Sequence, residues 1–132
     1  MSSTPADHEI EGLSVTTEER DGITVVALSG ELDLLSAGPA RAALEGQLIA
    51  GIAGLVVDVS GLGFIDSAGL GVLVRTHKKA RVLRTGFAVA CPEGTVRRLL
   101  RLTGLLRALQ VHDTREDALA ALAERANAEP AD

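Results

Sequence analysis

Aromatic side chains are nearly absent from this sequence. Phe64 and Phe87 are the only two, and tryptophan and tyrosine do not occur. That excludes a stacking platform for single-stranded nucleic acid and leaves the core to Leu, Val, Ile and Ala. Cysteine appears once, as Cys91, so no internal disulfide can form and a metal site built on paired cysteines is excluded. Positive charge is outnumbered: 13 Lys and Arg against 18 Asp and Glu give a net charge of -5, which argues against nucleic acid as the main partner. The longest apolar run, Leu48 to Val57, stops at Asp58 and is too short to cross a bilayer. Met1 to Glu9 hold neither a basic end nor an apolar stretch, so no signal peptide is expected. The three histidines show no ligand spacing. The expectation is a cytoplasmic protein with no metal, no cofactor and no membrane partner.

What is present is enough for one folded domain. The chain has 132 residues, of which 46% are hydrophobic. Residues 1–11 are polar and contain Pro5, which predicts a loose tail, and residues 128–132 predict a frayed end, leaving residues 12–127 as the domain. Leu13, Val15 and Thr17 alternate with polar neighbours as in a half-exposed strand. Asp21-Gly22 then reads as a hairpin turn into the apolar strand at residues 23–28. Ser36 is the expected cap of a helix with Pro39 in its first turn and with Ala40, Leu44 and Leu48 at helical spacing. Strand signals recur at residues 55–59, 86–90 and 109–111. Helical patterns recur after Asp66, around Val96 to Thr103, and after Thr114. Alternation after an initial hairpin predicts an α/β fold: a mixed, mostly parallel central sheet of about five strands with covering helices.

The most informative stretch is Gly63 to Gly71, read as Gly-Phe-Ile-Asp-Ser-Ala-Gly-Leu-Gly. It joins the most strand-like run to the longest helical pattern. At about 100° per residue from Ser67, the residues Leu70, Leu73, Val74 and His77 share one side, which is the expected core face. Ala68, Gly71, Val72, Arg75, Lys78 and Lys79 share the other, which makes Gly71 and Val72 a candidate contact face followed by a basic band.

Phe64-Ile65-Asp66-Ser67-Ala68-Gly69-Leu70-Gly71 resembles the phosphorylation motif of the bacterial anti-sigma factor antagonists of the STAS domain family. Leu28-Ser29-Gly30-Glu31-Leu32-Asp33 resembles that family's second strand and following loop, and Leu55 to Ser60 resembles its central strand. Element order agrees from about residue 13 to residue 125. The resemblance implies that Ser67 is phosphorylated by a partner that is both an anti-sigma factor and a serine kinase, with ATP bound by that partner. It also implies that the unphosphorylated chain binds the partner and frees the sigma factor, and that a separate serine phosphatase restores the serine. Asp66 would present the hydroxyl, and Asp33 would lie on the same contact surface with Ala68, Gly71, Val72 and Arg75. Many family members carry a second hydroxyl where this chain has Ala68, so Ser67 is the sole candidate acceptor in the motif here.

Two other readings compete. A serine hydrolase would need glycines two before and two after the nucleophile, and Ile65 occupies the first of those positions; an enzyme is therefore not expected. A scaffold or sensor module of a larger signalling or transporter-associated assembly would keep the fold and change the role. Locally, His77 reads as a packed, hydrogen-bonded residue and Cys91 as a buried structural thiol. Lys78, Lys79 and the arginines near residue 100 read as solvated charge.

Overall fold

The computed structural model describes residues 8–128. In chain order its elements are β1 (His8–Ile10), β2 (Leu13–Arg20), β3 (Ile23–Leu32), α1 (Leu34–Ile49), β4 (Gly54–Ile65), α2 (Ser67–Val82), β5 (Gly86–Ala90), α3 (Thr95–Leu102), α4 (Leu105–Ala108), β6 (Val111–His112) and α5 (Arg115–Ala128). The strands form one six-stranded sheet in the order β1-β2-β3-β4-β5-β6. The first three are antiparallel neighbours, and β3, β4, β5 and β6 run parallel. The expected α/β architecture is therefore present, with one strand more than the sequence suggests.

The hairpins follow from local chemistry. Asp21 and Gly22 both take positive φ, 54° and 86°, which matches the right-handed twist of β2 and β3. Glu11 and Gly12 do the same between β1 and β2, at 52° and 83°. This second turn corrects part of the expected tail: His8 pairs with Val15, and Ile10 with Leu13. Ile10 is the only large apolar residue of β1, too little for a period-two signal. The rest of that tail, residues 1–7, and the C-terminal residues 129–132 lie outside the described residues.

Two apolar layers flank the sheet. The larger one packs Leu28, Val57, Leu55 and Val89 under α1, α2 and α3, with Leu44, Leu73 and Leu100 fully covered. On the opposite face α5 lays Ala118 and Leu122 against Val25, Val56 and Ala88. That α5 layer is locked by a buried carboxylate. Asp58 on β4 accepts from Ser60 N at 2.9 Å, Ser60 Oγ at 2.6 Å and Arg115 Nε at 2.9 Å. Arg115 Nη1 also reaches Glu18 on β2. One arginine thus ties the start of α5 to two strands.

The ends of α1 and β4 differ from expectation. The first turn of α1 is capped by Asp33, not Ser36: Asp33 Oδ1 accepts from Leu35 N and Ser36 N, while Ser36 Oγ accepts from Asp33 N. This reciprocal capping box buries Ser36 as the third helical residue. Strand β4 does not end near Val59 but continues through glycines to Ile65, alongside β3, with register shifts at Ala27/Ser29 and Gly30/Glu31. In consequence β3 and β4 deliver α1 and α2 side by side, with their N-termini at the same end of the sheet.

Candidate functional site

The site is built where those two helices begin. Asp66 leaves β4 in an extended conformation and caps α2, its Oδ1 accepting from Gly69 N at 3.0 Å. Its second oxygen is not idle. Oδ2 accepts from Leu34 N, the first residue of α1, at 3.1 Å. The backbone of Asp66 adds a third tie, its N–H donating to Leu32 O at 3.3 Å. One carboxylate thus satisfies an orphan N–H at the start of each helix. Both of its oxygens are engaged, so Asp66 holds the site together and also acts as its charge.

Ser67 follows as the first residue of α2. Its side chain is exposed, and its hydroxyl makes no hydrogen bond to a described residue. The preceding strand and the doubly bonded Asp66 fix its backbone, so a free hydroxyl is presented from a rigid point. At the α1 start the N–H groups of Leu34, Leu35 and Ser36 are all taken by Asp66 and Asp33. It is therefore the start of α2, where the N–H groups of Ser67 and Ala68 make no hydrogen bond to a described residue, whose partial positive charge favours an anion. Asp33 stands at the neighbouring cap with Oδ1 spent on α1 and Oδ2 free of bonds to described residues. Asp33 and Asp66 are thus brought to one surface with Ser67.

The rest of the expected contact face is only partly assembled. Ala68 and Gly71 are half-buried, and Arg75 is exposed. The Arg75 guanidinium lies back along the helix, Nη1 being 3.7 Å from where a Cβ on Gly71 would stand. Val72, however, is 1% exposed and belongs to the core, so it is no contact residue. The buried side of α2 is Gly69, Val72, Leu73, Thr76 and Ala80, rotated from the expected Leu70, Leu73, Val74 and His77. The cause is Gly69. A Cβ there would sit 2.5 Å from Leu32 O and 2.7 Å from Ile65 Cγ1, so the bare Cα lets the helix press directly onto β3 and β4. Thr76 is tolerated on that side because its hydroxyl donates to Val72 O at 2.7 Å.

The exposed surface around Ser67 instead includes residues that the sequence reading overlooked. Leu34 and Leu35 are 77% and 69% exposed, and Phe64, three residues before Ser67, is 50% exposed. With Asp33 as the cap, these leucines are the first two residues of α1, ahead of the helical positions that face the sheet. Reading Asp33 as the cap would have revealed them. Large exposed side chains beside a free hydroxyl suit a protein contact better than a small-molecule cleft.

Other candidate groups take structural positions. His77 packs its ring on Phe87, centroids 5.4 Å apart, rather than hydrogen-bonding to a described residue, and burial followed by the nearby Arg81 charge lowers its pKa. Cys91 is buried at the end of β5; burial pushes its thiol up to about 11 against the opposing pull of Arg97. Among the described residues no three His, Cys, Asp or Glu side chains gather as a metal site, and no helix is long and apolar enough to cross a membrane.

Comparison with known proteins identifies the family. The family model described as the STAS domain matches residues 14–118. The chain belongs to the STAS domain family. Within that family it is 30% identical over 109 residues to the anti-sigma-F factor antagonist RsfB of Mycobacterium tuberculosis, covering 83% of this chain and 88% of the relative. It is also 30% identical over 111 residues to the anti-sigma F factor antagonist of Paenibacillus polymyxa, covering 83% of this chain and 95% of the relative. The crystal structure of an anti-sigma factor antagonist from Mycobacterium paratuberculosis superposes with a TM-score of 0.78 at 32% identity, covering 92% of this chain and 98% of that one.

Proposed function

We propose that this STAS domain is a cytoplasmic, non-enzymatic anti-sigma factor antagonist whose affinity for an anti-sigma serine kinase is switched off by phosphorylation of Ser67. The observation that carries the reading is the free, exposed Ser67 hydroxyl on a rigid helix start, held by Asp66 and flanked by exposed Leu34, Leu35 and Phe64. The relatives named as anti-sigma factor antagonists support the same role.

In this reading the unphosphorylated face binds the kinase and releases the sigma factor. The kinase supplies ATP. Its γ-phosphoryl group forms a P–O bond to Ser67 Oγ as the bond to ADP breaks, and the hydroxyl proton leaves to a base on the kinase. A serine phosphatase later hydrolyses the ester to serine and inorganic phosphate. The fold accepts the phosphate because it sits at a helix N-terminus, so the energetic cost falls on the interface. A charge of roughly -2 facing a partner carboxylate about 6 Å away costs about 5 kcal/mol at an effective dielectric of about 20. A residue of about 3 kcal/mol after screening weakens binding more than about 100-fold.

The site assignment is tested by phosphotransfer. Incubation with the cognate kinase and ATP, followed by mass mapping, should place one phosphate on Ser67 and none on a Ser67→Ala variant. Label persisting on that variant would overturn the assignment.

A further inference from the structure

Strand β5 ends at Ala90, opposite Asp58, while β4 continues to Ile65. Beyond Asp58, β4 pairs with β3 at Gly61, Leu62, Phe64 and Ile65 on one side and carries no strand on the other. This edge reads Val-Ser-Gly-Leu-Gly-Phe-Ile. It contains no charge and no proline, the usual devices that protect an open strand edge. Helix α3 stands beside it without closing over it. The space between them has a volume of about 290 Å³ and is lined by Gly63, Phe64 and Ile65 on the strand side and by Val96, Leu99 and Leu102 on the helix. That volume lies at the lower edge of the roughly 300–1,000 Å³ typical of small-molecule clefts. Leu102 at its mouth is 76% exposed.

The charge at this groove is equally specific. Arg97 is engaged by Asp113 and Glu93, and Arg101 by Glu93. Arg98, which lines the groove, makes no side-chain hydrogen bond or ion pair with a described residue. An apolar trough, an unpaired strand edge and one unneutralised guanidinium together define the complement: an extended peptide segment with apolar side chains at alternate positions and a carboxylate within reach of Arg98.

We infer that the β4 edge and α3 form a second contact surface, which takes an extended, acidic-apolar segment of the anti-sigma partner as an added strand. This rests on the partner proposed above. It places that segment directly alongside the strand end that carries Asp66 and Ser67. Recognition is then divided: the groove supplies affinity that phosphorylation does not touch, and the Ser67 face supplies the switch.

The test measures affinity for the purified anti-sigma kinase by titration calorimetry with wild-type chain, Arg98→Glu, Leu102→Asp, the milder Leu102→Gln, and Ser67→Asp. Amide hydrogen exchange of residues 61–65 is followed free and bound. All altered side chains are exposed, and circular dichroism identifies any variant that fails to fold. The expected result is at least tenfold weaker binding for Arg98→Glu and Leu102→Asp, a smaller loss for Leu102→Gln, and at least tenfold slower exchange at residues 61–65 in the complex. If Ser67→Asp loses binding while the groove variants bind as wild type and exchange is unchanged, the groove proposal is overturned and the switch stands. If the groove variants lose binding while Ser67→Asp does not, the groove stands and the switch falls. A wild-type chain that binds no anti-sigma kinase overturns both.

Discussion

Replacing Asp66 by alanine removes two hydrogen bonds that tie the helix starts together. The first is the cap to Gly69 N at 3.0 Å, and the second is the bond to Leu34 N at 3.1 Å. Loss of an N-cap carboxylate costs about 1 kcal/mol. Loss of a hydrogen bond to a charged acceptor costs about 1.5 kcal/mol at the lower end of its range, the end appropriate to a bond that is exposed. Together they come to about 2.5 kcal/mol, or a fall in Tm of about 10 °C for a domain of this size. Asp66→Asn keeps one acceptor oxygen and should fall about halfway between. Ser67→Ala removes a hydroxyl that holds nothing in the fold and should lie within about 0.5 kcal/mol of wild type. Thermal denaturation followed by circular dichroism gives all three values in one series. A fall of less than about 2 °C for Asp66→Ala, or Asn equal to wild type, would refute the view that this carboxylate joins the two helix starts.

Three further outcomes follow from the packing and the charges. Gly69→Ala places a Cβ 2.5 Å from Leu32 O and should destabilise by about 1–3 kcal/mol despite the better helix propensity of alanine; an unchanged urea midpoint would contradict the close helix–sheet approach. Arg115→Met leaves the Asp58 carboxylate buried with only its Ser60 bonds. It should cost about 3 kcal/mol, and Asp58→Asn in the same chain should recover part of that, both read by chemical denaturation. Cys91 should alkylate slowly with iodoacetamide at pH 8 in the folded chain and fast in urea. Because folding raises its pKa from near 9 to about 11, the protonated thiol is the form favoured in the native state. Its stabilising contribution is therefore complete below about pH 9 and lost as pH rises to about 11, relative to a Cys91→Ala variant.

Much of this architecture is legible from local signals, and the exceptions have physical causes. Asp21-Gly22 announces its own hairpin because few residue pairs accept two positive φ angles. The alternation of strands and helices announces the parallel sheet. The phase of α2 is harder to read, because its two deciding residues do not look like core. Gly69 has no side chain, and Thr76 is polar until its hydroxyl is returned to the backbone of Val72. This moved Val72 from the contact face into the core and left Leu70 and Val74 half-buried. At α1, Asp33 and Ser36 are both good caps three residues apart, and in the capping box each serves the other. Only the fold shows which begins the helix, and that choice exposes Leu34 and Leu35. Strand β4 is underestimated for a related reason: Gly61 and Gly63 have no side chain to extend a strand pattern past Val59, yet they lie within the strand that runs beside β3. Ser67, Asp66 and Asp33 are brought together as their motifs suggest, since all three sit at ends of neighbouring parallel strands.

The switch itself is tested most directly by comparing two forms of one chain. The dissociation constant for the anti-sigma kinase is measured with unphosphorylated protein and with protein carrying phosphoserine at position 67 alone, at fixed ionic strength. The expected result is more than about 100-fold weaker binding for the phosphorylated form, with Ser67→Ala binding as tightly as the unphosphorylated chain. Equal affinities for the two forms would contradict the proposed role of Ser67.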